Sequence, residues 1–202
     1  SAVGGEFEGT ALDVLPASLV SWRAWRELHP DTLVLDQGGP RSDPYEGYYR
    51  DGSAGVLGQE QRDERLRRKE FVLGVQLAEG PKAYPFRHLN DRPVVNDEVG
   101  GRPLVVTFDA RAGGAAAFDR RVDGRVLTFV TLSDDTGTNG PDKPHTGSLM
   151  VDDQTGSTWD RRTGKAIAGP LEGADLDSVP SFATFWFAWS DFFPDAPLYE
   201  PQ

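Results

Sequence analysis

From residue 71 onward, apolar and polar side chains tend to alternate, and turns rich in glycine interrupt the alternation. An alternation of period two predicts β-strands that bury one face. The predicted strands are Phe71–Val75, Leu104–Phe108, Ala115–Arg121, Arg125–Val130, Leu149–Asp152 and Ser157–Asp160. Turns join or follow these strands at Gly100-Gly101, Asp123-Gly124, Asp153–Gly156 and Arg162–Gly164. Such turns need residues with positive φ, which Gly and Asp accept. Successive hairpins predict an α+β, β-dominated fold built on an antiparallel meander, as a small barrel or sandwich.

Two short segments have apolar residues at helical spacing instead. The first, Leu19–Leu28, begins after Pro16 and ends before Pro30, because the residue before a proline disfavours the helical region. The second is an aromatic stripe ended by Pro194, formed by Phe182, Phe185, Trp186, Trp189 and Phe193. We interpret these aromatic faces as core rather than as ligand platforms, and we expect Trp22 and Trp25 to be buried.

The two helical segments belong to a repeat. Residues 1–35 align without a gap on residues 165–199 at a constant offset of 164, and 12 of the 35 positions are identical. So long a period indicates duplication of a domain rather than a solenoid. We therefore predict three parts: residues 1–35 as the tail of a preceding unit, residues 36–67 as a connecting loop and charged segment, and residues 68–202 as a β-rich domain.

Composition narrows the possible partners. The chain has 21 basic and 32 acidic residues, a net charge of −11, which opposes binding to nucleic acid or anionic lipid. No run approaches the roughly 18 apolar residues of a membrane helix, so no membrane span is predicted. The absence of cysteine excludes thiolate nucleophiles and cysteine-ligated metals. We expect an extracytoplasmic or secreted protein that needs no cofactor.

The most acidic stretch is Ser133–Asp160. Carboxylates are calcium ligands, so Asp134, Asp135 and Asp142 are weak calcium candidates, although their spacing matches no EF-hand and a solvated loop is favoured. His145 with Asp152 or Asp153 and a nearby serine supplies the ingredients of a hydrolase. However, no nucleophile-elbow motif is present.

Motifs in the same order as those of the domain-of-unknown-function 3179 family run along nearly the whole chain, and the chain resembles that family. The motifs are Lys82-Ala83-Tyr84-Pro85, Val94-Val95-Asn96-Asp97, Gly101-x-Pro103, Ala117–Gly124, Asp153-x-Thr155-Gly156-Ser157-x-Trp159 and the tail elements Trp22–Thr32 and Trp186–Ala196. The resemblance implies a tandem protein and a fold but no reaction. Many members carry a Cys-Pro-Leu-Cys element where this chain has Thr107–Gly114, so this unit resembles a cysteine-free second copy.

Arg120 lies at the end of a predicted strand and shares a face with the apolar Phe118 and Val122. An inward arginine needs a partner, and we predict a buried ion pair with Asp97 or Asp152. The alternative is a cleft in which Arg120 binds the carboxylate of a ligand.

No motif identifies a reaction. We expect a non-catalytic binding or structural β-rich module of a duplicated protein, whose partner is an upstream unit of the same polypeptide or a second copy of the chain. The alternative is an enzyme or metal-dependent protein whose site needs a first unit or the region of His145, Asp152 and Asp153. The candidate ligand-binding residues are Asn96, Asp97, Arg120, His145, Asp152, Ser157 and Trp159.

Overall fold

The computed structural model describes residues 2–11, 13–36, 38–39, 47–48, 52, 63–78, 80–132 and 148–201. Most of the predicted connecting segment 36–67 and most of the acidic stretch therefore lie outside the described residues. The strands are β1 (Phe71–Leu77), β2 (Gly80–Pro85), β3 (Val94–Val99), β4 (Arg102–Asp109), β5 (Gly114–Asp119), β6 (Arg121–Val122), β7 (Arg125–Val126), β8 (Phe129–Thr131), β9 (Leu149–Asp152), β10 (Thr158–Asp160), β11 (Ala166–Ala168) and β12 (Ser181–Phe185). The helices are α1 (Trp22–Leu28), α2 (Phe86–Asp91) and α3 (Trp186–Phe192).

These strands form small antiparallel sheets, which confirms the β-dominated α+β prediction. The sheet orders are β12-β1-β2, β3-β4-β5 and β11-β10-β9-β8, with β6 and β7 as a two-stranded ribbon. Neighbours in the second and third sheets follow one another along the chain, so both are meanders. The first sheet differs because β12 returns from the C-terminal end to pair with β1. No closed barrel forms in the part of the chain that the structure describes.

The hairpin turns lie where the sequence places them. Asp123 and Gly124 both have positive φ, 49° and 75°, which is the backbone of a two-residue turn between β6 and β7. Gly156 has φ of 72°, and its N–H donates to the Asp152 carbonyl at 2.9 Å, closing the turn between β9 and β10. The long strands predicted on either side of Asp123-Gly124 are interrupted, because Arg120 leaves the ladder and its carbonyl accepts from the Leu127 N–H at 2.8 Å.

The apolar faces of the sheets bury three adjoining clusters. The first lies between the β1–β2 and β3–β5 sheets and contains Leu73, Tyr84, Leu104 and Val106. The second lies against the β8–β11 sheet and is centred on the fully buried Trp159. The third, around Trp186 and Trp189, attaches helix α3 to the first sheet.

Both predicted aromatic helices form, but they are shorter than predicted. Helix α1 begins at Trp22 because the Ser21 side chain caps it, accepting from the Ala24 N–H at 3.3 Å. In the second segment Phe182 and Phe185 belong to β12, so the predicted stripe is wrong as one helical face. It is a strand followed by the helix α3.

The predicted burial of Trp22 and Trp25 is also wrong. Their side chains are 49% and 39% exposed, whereas the aligned Trp186 and Trp189 are 0% and 1% exposed. The reason is nonlocal: Trp186 and Trp189 are covered by the first sheet and by Leu66, and no such sheet covers Trp22 and Trp25 among the described residues. None of the three helices has the length and apolar character needed to cross a lipid bilayer, as far as the described residues show.

Candidate functional site

A polar cleft of about 540 Å³ opens beside strand β3, where two of the quoted motifs meet. Asp97 Oδ2 lies 2.6 Å from Lys82 Nζ and accepts from the Tyr84 hydroxyl at 2.8 Å. Asp97 Oδ1 accepts from the Glu98 N–H at 2.8 Å. Pairing β1 with β2 turns Lys82 and Tyr84 to the same side of the sheet, because side chains two apart share a face.

The two carboxylate contacts have different environments. Lys82 and Asp97 are each about one-fifth exposed, at 19% and 18% of their side chains, so the pair can be reached from solvent. Tyr84 is fully buried behind them and stacks on Tyr199 with ring centroids 5.6 Å apart. Burial, the negative charge of Asp97 and the hydrogen bond to it all raise the pKa of the Tyr84 phenol well above its ordinary value. Tyr84 therefore remains a neutral donor that orients Asp97.

Asn96, the neighbour of Asp97, has a structural role in this arrangement. Its side-chain amide donates to the Phe129 carbonyl at 2.7 Å and accepts from the Phe129 N–H at 2.8 Å. These two bonds join β3 to β8, which come from different sheets. Both polar atoms of the Asn96 side chain are occupied, although the residue lines the cleft.

The predicted ion pair of Arg120 with Asp97 or Asp152 is wrong. Arg120 Nη1 donates to the Leu127 carbonyl at 2.8 Å, and its Nε is buried without a hydrogen-bond partner. Asp97 pairs with Lys82 instead, and Asp152 is occupied within its own turn. The inward direction predicted for Arg120 agrees with its buried Nε, and Arg121 is exposed as expected, but the partner of Arg120 is a backbone carbonyl instead of a carboxylate.

Asp152, Ser157 and Trp159 form one buried hydrogen-bonded turn together with Thr155. Asp152 Oδ2 accepts from Trp159 Nε1 and from the Thr155 hydroxyl, both at 2.9 Å, and Oδ1 accepts from the Thr155 N–H at 2.6 Å. The Ser157 hydroxyl lies 2.7 Å from the Thr155 hydroxyl and accepts from the Leu171 N–H at 3.0 Å. Burial opposes ionisation of Asp152, but these donors outweigh it, and the pKa of Asp152 is lowered. The motif thus stabilises the β9–β10 hairpin.

Arg161 is a buried charge that sequence reasoning missed. It is 3% exposed and lines a cavity of about 20 Å³ together with Thr107, Asp109 and Val20. Its Nε and Nη1 have no hydrogen-bond partner among the described residues, and burial lowers its pKa despite the charges of Asp109 and Asp160. Nothing local marks Arg161 as buried, since it follows Asp160 in a turn rich in charge.

The metal and hydrolase candidates fall largely outside the described residues. These are Asp134, Asp135, Asp142 and His145. Within the described ranges, no group of three or more His, Asp or Glu side chains is placed to bind a metal ion.

In residues 1–35, which we name the first tail, the glycine turn and the helix repeat those of residues 165–199, the second tail. Their helices, α1 and α3, begin and end at the same offset of 164. Trp25 and His29 have ring centroids 4.3 Å apart at 39°, and the aligned Trp189 and Phe193 have 4.4 Å and 40°. The glycine turns also match, because three backbone hydrogen bonds of the first tail recur in the second tail at the offset of 164. In the first tail they are Ala2 N–Thr10 O (2.9 Å), Gly9 N–Ala2 O (3.0 Å) and Thr10 N–Phe7 O (2.9 Å). Their counterparts are Ala166 N–Ala174 O, Gly173 N–Ala166 O and Ala174 N–Leu171 O, all at 2.9 Å.

The two tails differ in what covers them. Leu15 is 76% exposed, whereas the aligned Val179 is fully buried in the first cluster. Leu33, Val34 and Leu35 are likewise exposed in the first tail. The first tail therefore leaves six large apolar side chains exposed or partly exposed to water, those of Leu15, Trp22, Trp25, Leu33, Val34 and Leu35.

Comparison with known proteins supplies a family and no activity. No curated protein and no solved structure matches the chain. The family described as Protein of unknown function (DUF3179) matches residues 1–196, almost the entire sequence. The chain therefore belongs to the DUF3179 family.

Proposed function

We propose that this chain is a non-catalytic binding and structural unit of a duplicated, extracytoplasmic protein. In this proposal the first tail completes the body of a preceding unit of the same fold, where the body means the residues equivalent to 63–164. The observation that carries the proposal is the contrast between the two tails, which share a glycine turn and a helix while only the second buries its tryptophans and the residue aligned with Leu15.

The contrast has a physical cause. Each large apolar side chain left in water forgoes about 1.5–3 kcal/mol that its burial would contribute. The first tail leaves Leu15, Trp22 and Trp25 largely or partly in water, and the second tail buries the aligned Val179, Trp186 and Trp189 against its own body. A body of the same fold offers a surface of matching shape to the first tail, because the two tails already have the same backbone and ring geometry.

The test is a fusion in which residues 63–164 are placed directly before residue 1 of the full chain. Residue 164 followed by residue 1 preserves the register of the repeat, since residue 1 aligns with residue 165. We expect the added body to fold cooperatively on the first tail. Hydroxyl-radical footprinting with mass spectrometry should then show Trp22 and Trp25 as protected as Trp186 and Trp189.

Leu15→Asp is the matched control. In the chain alone this change should be nearly neutral, because Leu15 is 76% exposed. In the fusion it should prevent folding of the added body, because it introduces a charge where Val179 is buried in the second tail. If the added body stays unfolded and Trp22 and Trp25 remain fully reactive, the proposal is wrong.

The extracytoplasmic location is a separate part of the proposal, and the net charge of −11, which favours solubility, is compatible with it. Fractionation of the source cells with an antibody to this chain tests it directly. Recovery of the protein with the cytoplasmic fraction contradicts this part of the proposal and leaves the role of the first tail untouched.

A second candidate function is the binding of a small polar ligand in the cleft at Asp97. It is favoured by one observation: the Lys82–Asp97 pair is held in place by the buried Tyr84 and yet reaches solvent. Saturation-transfer NMR with mixtures of small polyols and carboxylates should detect contacts that Lys82→Gln abolishes. Lys165→Gln is the control, because Lys165 pairs only with the exposed Asp175 among described residues. Equal signals from both variants contradict the cleft site.

A further inference from the structure

The backbone of the first tail just before helix α1 is bonded on one side only. In an extended chain, the N–H and C=O groups of successive residues point to opposite sides. The Ala17 N–H donates to the Ser181 carbonyl of β12 at 2.8 Å, and the Ser21 N–H donates to the Ala112 carbonyl at 2.7 Å. Ala17 pairs in parallel with Phe182 at the edge of this unit's first sheet, and Ser21 is held by the turn between β4 and β5.

The opposite, even-numbered side has no backbone partner among the described residues. The Pro16 carbonyl and the Trp22 N–H are its two ends. Their counterparts in the second tail are both bonded to the β1 region: the Pro180 carbonyl accepts from the Gln76 N–H at 2.9 Å, and the Trp186 N–H donates to the Glu70 carbonyl at 2.8 Å. Between these ends the second tail forms β12, paired antiparallel with β1.

From this arrangement we infer that residues 17–21 are a strand shared by two units. On one side Ala17 pairs in parallel with Phe182 of β12 in this unit, and on the other side residues 17–21 pair antiparallel with the β1 equivalent of a preceding unit. The two first sheets then form one continuous sheet across the junction. This inference rests on the proposed function, and it specifies the partner of the first tail as a β-strand edge rather than only an apolar surface.

The partner strand must also carry a glycine. In the second tail Trp189 lies directly on Gly74 of β1, and a Cβ built on Gly74 would be 2.0 Å from Trp189 Cζ3. Trp25 is the aligned residue, with the same ring geometry toward its neighbour. The strand that pairs with residues 17–21 therefore needs glycine at the position of Gly74, since any side chain there occupies the volume of the Trp25 ring.

Cysteine cross-linking in the fusion tests the register, because the chain contains no cysteine of its own. Phe71 pairs with Phe185 in this unit, so Phe71 of the added copy should lie opposite Ser21. Directly opposite residues have the Cα separation that a disulfide needs. We expect Phe71→Cys in the added copy to cross-link to Ser21→Cys about tenfold faster than to Arg23→Cys, which lies out of register.

The outcomes separate this inference from the proposed function. Selective cross-linking at Ser21, together with renewed reactivity of Trp25 when Gly74 of the added copy is changed to alanine, supports the shared strand. Protection of Trp22 and Trp25 without selective cross-linking overturns the shared strand, while the proposed role of the first tail stands. Because Ser21→Cys removes a helix cap, a second pair, Val75→Cys in the added copy with Ala17→Cys, repeats the measurement away from the cap.

Discussion

Replacing Gly74 by alanine should destabilise this chain more than replacing a glycine at which an added Cβ meets no neighbouring atom. The added Cβ would lie 2.0 Å from Trp189 Cζ3, 2.2 Å from Cε3 and 2.7 Å from Cη2. Carbon atoms pack at about 3.5–4.0 Å, so the Trp189 ring has to move by more than about 1 Å. Any such movement disturbs the packing of a buried ring, because Trp189 is 1% exposed and contacts both Phe182 and Phe193.

The expected cost is at the upper end for an overpacked core, about 3 kcal/mol. For a protein of this size, that corresponds to a fall in the thermal midpoint of roughly 6–12 °C. Urea denaturation followed by circular dichroism measures the free energy of unfolding, and calorimetry measures the midpoint. Gly4→Ala is the control, since a Cβ at Gly4 meets nothing within 4 Å and its φ is ordinary.

A double-mutant cycle identifies the cause. If the loss comes from the contact with Trp189, Gly74→Ala should cost much less in a Trp189→Leu background, because the smaller side chain leaves space for the methyl group. Additive effects of the two substitutions, or a Gly74→Ala variant as stable as the wild type, would refute the packing explanation.

Three further changes have expected outcomes that the same denaturation assays can check. Ala196→Ser should stabilise the chain by about 1 kcal/mol, because the serine hydroxyl can accept from Trp189 Nε1, which is buried without a partner among the described residues. In the first tail, Trp25 Nε1 donates at 2.9 Å to Thr32, the residue aligned with Ala196. A destabilised variant contradicts this reason. The pKa of Asp152 is lowered in the folded state, so its ionisation contributes stability that is full above about pH 4 and is lost as the pH falls further. The difference in the free energy of unfolding between wild type and Asp152→Asn should therefore shrink from pH 5 to pH 3. A difference that stays constant over this range refutes the prediction. Calcium should leave the thermal midpoint unchanged relative to chelator, whereas a native calcium site at a hundredfold excess over its dissociation constant adds about 2.7 kcal/mol.

The features that the sequence predicted correctly depend on neighbouring residues. Asp123-Gly124 marks a turn because both positions adopt positive φ, and no distant contact is needed to impose it. Gly156 and the period-two runs on either side of it place β9 and β10 for the same reason. The tail helices are local as well, since Ser21 caps α1 and prolines follow both helices within two residues.

The features that were missed depend on which surfaces meet. The carboxylate partner predicted for Arg120 was wrong, because Arg120 donates to the Leu127 carbonyl while Asp97 pairs with Lys82 and Asp152 accepts from Trp159. The Lys82–Tyr84–Asp97 arrangement joins β2 and β3, which belong to different sheets, so no local pattern in the sequence predicts that these side chains meet. Of the candidates from the Asp153–Trp159 motif, Ser157 and Trp159 are parts of a buried hydrogen-bonded turn. The sequence does not distinguish such a turn from a binding site, because both are built from the same hydroxyl and carboxylate residues.

The repeat lets the conformation of two similar segments be compared in different surroundings within one chain. Both tails have the same glycine turn, the same helix length and the same ring geometry, although one is covered and the other is largely exposed. The turn and the helix therefore recur in two different packing environments, and the two tails differ mainly in how far their large apolar side chains are buried. In the shared-strand proposal, the first tail contacts this unit's body through the N–H groups of Ala17 and Ser21 and keeps its opposite edge for the body of a preceding unit. Binding of a second body then costs little ordering of the segment, which is the condition under which preorganised surfaces bind most tightly.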